Sequence, residues 1–266
     1  MIMKTIKIIL TISLLLLIIS CGSERKKYIK SPLDIIITTY IDTQNYSIIL
    51  ADMDYKEAED KYYHKYKIVL EKANTTESKE DDFDIKLTDW KQVSPITFEE
   101  HQKDLGMTVL SKKDGVLDKK ATPAGYNNYV GNNKYGNWQR HSNGTSFWAF
   151  YGQYHFMSSL FYGSSHRYYR NDYDYYRRNH YGTSSYYGRN NNFGTSTYYN
   201  KNSTWTSKPK SFKQNVQSKV KRSSSALKSK GYSSSKSYGS SKQTTRSSNR
   251  YSSSSSSRSR SGGYGK

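Results

Sequence analysis

The sequence predicts an α+β protein: a small antiparallel sheet with one or two short helices, followed by a long disordered basic C-terminal tail. Three observations carry this expectation. Strand-like segments, β-branched or alternating with period two, recur between residues 32 and 90. Composition then breaks near Tyr162, beyond which the only aliphatic residues are Val216, Val220, Ala226 and Leu227. Charge is also partitioned: residues 163–266 carry 21 Lys+Arg against Asp172 and Asp174 alone, whereas residues 21–162 carry 19 Lys+Arg against 20 acids.

The elements follow in order. Pro32 opens the domain expected over residues 32–162. Ile35–Ile41 is β-branched and aromatic and reads as a first strand, Tyr46–Ala51 as a second and Tyr62–Leu70 as a third, with an acidic connector over Asp52–Asp60. Phe83–Trp90 alternates apolar and polar and reads as a half-buried strand. Thr97 and Glu100 stand at capping-box spacing and open a short helix ending near Gly106. Met107–Leu110 and Gly115–Leu117 are expected to form a hairpin across Ser111–Asp114. Phe147, Phe150, Tyr151 and Tyr154 recur at three- and four-residue spacings and predict a helix whose aromatic stripe closes a small core; an exposed platform for sugar rings or bases is the other reading.

Residues 163–266 hold 29 serines and no glutamate. Ordering a backbone costs about 1–2 kcal/mol per residue, and so few aliphatic side chains do not offset it. Gly182, Gly188 and Gly194 read as low-complexity spacers. Arginines are interleaved with tyrosines at Arg167, Tyr168, Tyr169, Arg170, Tyr175, Tyr176, Arg177, Arg178 and Arg189, and Lys219, Lys221 and Arg222 form a later basic cluster. Cations beside rings suit polyanions, with the charges on phosphate or carboxylate groups and the four tyrosines as stacking platforms. A solubilising extension without a dedicated partner is the plainer alternative.

The first twenty residues form an address. Lys4 and Lys7 precede an apolar run from Ile8 to Ile19, shorter than the roughly 20 residues a membrane span needs. Ile18-Ile19-Ser20-Cys21 resembles the lipobox of bacterial lipoproteins. That resemblance implies cleavage after Ser20, lipid on the Cys21 thiol and acylation of the new amino terminus. It further implies a protein held in the bacterial cell envelope by its lipid, with residues 21–31 as tether. Gly22 and Ser23, not aspartate, come directly after Cys21, so under the enteric sorting rule the outer membrane is the expected destination.

Catalytic motifs are sparse. The chain contains no H-E-x-x-H, no G-x-S-x-G and no Gly-Lys-Ser/Thr, and its single cysteine excludes an intrachain disulfide framework. No cofactor is expected. Asp52 and Asp54 are the one carboxylate pair on which an envelope glycan hydrolase would rest. The favoured expectation is a binding or structural lipoprotein whose basic tail contacts lipid headgroups, lipopolysaccharide, a wall polymer or extracellular nucleic acid. A surface adhesin is a further alternative.

Overall fold

The computed structural model describes residues 29–72, 82–162, 166–197 and 201–234. The signal segment, Cys21 and residues 235–266 lie outside the described residues. The fold is α+β, with one antiparallel sheet between a helical layer and an aromatic layer.

The first element corrects the sequence reading. Residues Pro32–Thr39 form helix α1, not a strand. Pro32 supplies a preset φ at the helix start. Leu33, Ile36 and Ile37, at i, i+3 and i+4, are buried on one face. Thr38 and Thr39 donate their hydroxyls back to the carbonyls of Asp34 and Ile35 at 2.6 and 2.9 Å. Burial of that stripe overrides the β propensity of its residues.

Strands β1 (Tyr46–Lys56) and β2 (Lys61–Glu71) pair antiparallel around a 3-10 turn at Glu57–Glu59, closed by Asp60 in the left-handed region. The register shifts between Leu50 and Asp52. This bulge explains the burial pattern: Tyr46, Ile48 and Leu50 face the helical layer before it, and Met53 and Tyr55 face the same layer after it. The acidic connector therefore begins as strand, and Asp52 and Asp54 belong to β1.

β3 (Phe83–Leu87) pairs with β2, and β4 (Lys91–Val93) with the other end of β2. The cap of helix α2 (Pro95–Glu100) lies three residues before the expected one. Ser94, not Thr97, is the N-cap, and its Oγ accepts the Thr97 amide at 3.1 Å. β5 (Met107–Lys113) and β6 (Val116–Asp118) form the expected hairpin, turning through Asp114 and Gly115, both at positive φ. β7 (Thr122–Pro123) also pairs with β5, and the sheet runs β3-β2-β1-β5-β6.

The aromatic layer covers the face presented by Ile49, Val69 and Met107. Its frame is a hairpin of β8 (Gly136–Arg140) and β9 (Ser146–Phe150), followed by helix α3 (Phe156–Phe161). The helix expected over Phe147–Tyr154 is thus a strand and a 3-10 turn. Trp138 and Trp148 sit directly across the hairpin with ring centroids 5.1 Å apart, and such cross-strand aromatic pairing favours the strand.

The largest departure from expectation lies beyond Tyr162. Residues 166–197 and 201–234 are packed on both faces of the sheet, whereas the sequence reading treats them as unpacked. Helix α4 (Arg170–Asn179) buries Tyr176 in the aromatic layer with Tyr168, Tyr186 and Phe193. Helices α5 (Thr204–Ser207) and α6 (Lys210–Lys228) deliver Trp205, Val216 and Val220 to the helical layer. Tyrosine is the physical reason. A buried aromatic ring removes roughly 150–250 Å² from water. Counting aliphatic residues alone therefore underestimates what this segment can bury.

Candidate anion-binding cleft

A buried phenol needs a hydrogen-bond partner, and those partners shape the site. Tyr126 and Tyr186 donate to the two carboxylate oxygens of Asp172 at 2.7 and 2.6 Å, and the Arg189 amide adds a third bond at 3.1 Å. Burial first, and then the Asp172 charge, push the Tyr126 phenol well above its ordinary pKa, so it remains a donor. Tyr168 donates to the Ala124 carbonyl at 3.3 Å, and Tyr176 to the side-chain oxygen of Asn127.

Around Asp172 opens a cleft of about 750 Å³, lined by Arg167, Tyr169, Asn171, Arg189, Asn190 and Asn192 among others. The chain forms it with a tight loop. Gly188 and Gly194 adopt positive φ, as does Asn191 between them. A side chain on Gly194 would meet the Lys103 carbonyl and Met107, so this glycine is a close-approach position, not a spacer. Held at both ends, the loop aims Arg189, Asn190 and Asn192 at the cleft.

Both arginines are braced by rings. The Arg167 guanidinium lies 4.7 Å from the Phe147 centroid, and that of Arg189 lies 5.4 Å from Tyr175. Cation–π contact leaves the guanidinium edges open to an oxyanion while reducing the freedom lost on binding. The single carboxylate lining the cleft, Asp172, already accepts three hydrogen bonds.

The other candidate residues separate into distinct groups. Tyr168 and Tyr176 are core residues, 2% and 0% exposed, whereas Tyr169 and Tyr175 are 48% and 37% exposed and present ring surface. Arg170 pairs with Asp174 at 3.5 Å and lies over Trp138, and Arg177 stacks on Tyr181. Lys219 faces inward to Asp60 at 2.9 Å and the Tyr55 hydroxyl at 2.6 Å, contacts that raise its pKa. Arg178, Lys221 and Arg222 are exposed and have no ion-pair partner among the described residues. Cys21 lies outside those residues.

Asp52 and Asp54 hold the C-terminal segment in place. The Asp52 carboxylate accepts the amides of Thr204 and Trp205 at 2.9 and 3.3 Å, and also that of Met53. Asp54 pairs with Lys208 at 3.3 Å. Among the described residues, no group of three or more histidine, cysteine or acidic side chains is placed to hold a metal ion. No helix there is long and apolar enough to cross a membrane.

Neither a family model, nor a curated protein, nor a solved structure matches this chain. Sequence reasoning picked out Arg167, Arg189 and Tyr169 but missed Asn171, Asn190 and Asn192. A signal was present in the asparagine run bracketed by Gly188 and Gly194, where a turn concentrates side-chain amides.

Proposed function

We propose that the chain is a lipid-anchored protein of the bacterial cell envelope, with a binding or structural role, that contacts an anionic envelope or surface polymer. The observation that carries this reading is the pair of ring-braced arginines, Arg167 and Arg189, lining one cleft whose only carboxylate is already hydrogen-bonded. The sequence adds that no acidic residue follows Asp174, so this part of the chain does not neutralise its own cations. The lipobox-like Ile18–Cys21 supports the anchor. Lipid headgroups, lipopolysaccharide, a wall polymer or extracellular nucleic acid would each meet such a surface.

The anchor and the cleft are tested separately. Metabolic labelling with a lipid precursor is expected to tag the wild-type chain and to leave C21A untagged; a lipid-bearing C21A chain would end the lipoprotein reading. For the cleft, the double variant R167Q/R189Q is expected to bind an anionic polymer more weakly and with a smaller salt dependence. If the polymer is single-stranded nucleic acid, each lost phosphate contact lowers the log–log slope by about 0.7. An unchanged slope would remove the cleft from the account. Y169S and Y175S discriminate among polymers: loss of stacking weakens binding to single-stranded nucleic acid by about 1–3 kcal/mol per base and leaves binding to a polymer without rings nearly unchanged.

A further inference from the structure

The arginine cleft carries more selective chemistry than charge alone. Its charged donors are guanidinium groups, on Arg167 and Arg189. A guanidinium fork sets two parallel N–H bonds against two oxygens of one carboxylate or phosphate. Beside them stand Asn171, Asn190 and Asn192, all exposed at the cleft. Each side-chain amide offers two donors and an acceptor. The oxygens of an ionised acid only accept, so they use half of what an amide provides. A hydroxyl group both donates and accepts, and it uses all of it.

Ring surface is placed next to these donors. Tyr169 is 48% exposed, whereas Tyr126 and Phe193 line the cleft as buried residues. Tyr169 is held in place, because it forms an isolated β-bridge with Phe147 and the Trp148 amide donates to the adjacent Tyr168 carbonyl at 2.8 Å. The facing loop is held as well. The Phe193 amide donates to the Tyr187 carbonyl at 3.1 Å, and a side chain on Gly188 would strike the Phe193 ring. Walls fixed before binding lose little freedom when a ligand arrives. The cleft volume of about 750 Å³ also falls within the roughly 300–1,000 Å³ of small-molecule sites.

A sugar ring that bears an acidic group divides in the same way. Its anion suits a guanidinium, its rim of hydroxyls suits the amides, and its face of C–H bonds suits the ring of Tyr169. A nucleic-acid strand has fewer hydroxyls to offer, and its repeating phosphates would run beside the Asp172 carboxylate, which lines the same cleft. We infer that the cleft binds an acidic glycan, a chain of sugar rings carrying carboxylate or phosphate groups. This rests on the anion-binding reading of the cleft and narrows its polymer to one class.

Calorimetry on the full chain tests the inference with defined probes. Trigalacturonate supplies sugar rings with carboxylates, its methyl ester supplies the rings without charge, and end-capped triglutamate supplies carboxylates without sugar. Trigalacturonate is expected to bind about tenfold or more tighter than either control. The variant N171A/N190A/N192A is expected to lose trigalacturonate affinity by about tenfold or more, the scale of one or two neutral hydrogen bonds, and to change triglutamate affinity by less than about twofold. Triglutamate or a short oligothymidylate binding as tightly as trigalacturonate, through contacts that R167Q/R189Q weakens, would overturn the glycan inference and leave the anion-binding cleft standing. Affinities for all these anions untouched by R167Q/R189Q would instead bring down the anion-binding reading itself. The methyl ester binding as tightly as the acid would overturn the requirement for charge. If the triple variant folds poorly, the comparison of trigalacturonate with triglutamate on the wild-type chain decides alone. A phosphorylated maltotriose separates the two sources: tighter binding than trigalacturonate assigns the cleft to sugar phosphates, and weaker binding assigns it to sugar carboxylates.

Discussion

Replacing Trp205 by alanine is expected to destabilise the domain by about 3–5 kcal/mol, the range for deleting a large buried ring. Trp205 is 1% exposed and packs edge-on against Phe98 at 5.4 Å, with Phe212 of α6 at 6.5 Å. Its amide is fixed by Asp52 on β1, so the ring connects the central strand, α2 and α6. Small domains are stable by only about 5–15 kcal/mol, so this one change removes a large fraction of the total. Urea denaturation followed by tryptophan fluorescence and circular dichroism measures the loss. A cost below 1 kcal/mol would mean that residues 201–234 do not complete the core. Limited proteolysis gives a second reading: the packed chain predicts a resistant fragment extending to about residue 234, not one ending near Tyr162.

Acid is expected to destabilise the protein well before its carboxylates titrate. His64 is fully buried, and burial, aided by the neighbouring His101, holds its pKa well below the ordinary value of 6.5. His166 lies among the rings of Tyr162, Tyr168 and Phe193, and burial lowers its pKa to about 4 even with Asp172 acting the other way. Both histidines are neutral in the folded chain at a pH where the unfolded chain protonates them. The stability they contribute is complete above about pH 6.5 and declines as pH falls through that value. His166 costs about 1.4 kcal/mol per pH unit, about 2 kcal/mol by pH 5, and His64 acts in the same direction. For His166 the decline levels off below about pH 4. Denaturation midpoints between pH 8 and pH 5 test this, and H166N is expected to flatten the curve by about 2 kcal/mol at pH 5. A stability independent of pH across that range would contradict the buried, neutral histidines.

The sheet was largely legible in the sequence and the layers covering it were not. Tyr46–Ala51, Tyr62–Leu70 and Phe83–Trp90 announce their strands because each carries a pattern that only an extended chain can bury. The hairpin after Met107 was legible as well, but its turn is tighter than expected, Asp114-Gly115 in place of Ser111–Asp114. Ile35–Ile41 misleads because local β propensity opposes the i, i+3, i+4 stripe of Leu33, Ile36 and Ile37, and tertiary burial decides between them. Phe147–Tyr154 misleads in the opposite direction, with helical spacing in a segment whose partner, Gly136–Arg140, lies upstream. The basic C-terminal third was the hardest to read. Tyr168, Tyr176 and Tyr186 become core only when Asp172, Asn127 and Ala124 satisfy their hydroxyls, and those partnerships span up to 49 residues. The cleft was half legible: its charges showed in the composition, but the loop geometry that brings Asn190 and Asn192 beside them did not.

The bonds from Asp52 to Thr204 and Trp205 also carry a consequence for how the chain is made. They join residues more than 150 positions apart, and Glu99 reaches Ser224 across 125. Both cores share this dependence, since Tyr168–Phe193 completes one and Trp205–Val220 the other. During synthesis the early strands emerge before Trp205, Val216 and Val220, which complete the helical layer, are available. Contacts of such long separation fold slowly, because loop closure must precede the gain from burial. A nascent chain of this design lacks the last part of both cores for most of its elongation. Until those residues arrive, the unfinished core leaves strand edges open to aggregation.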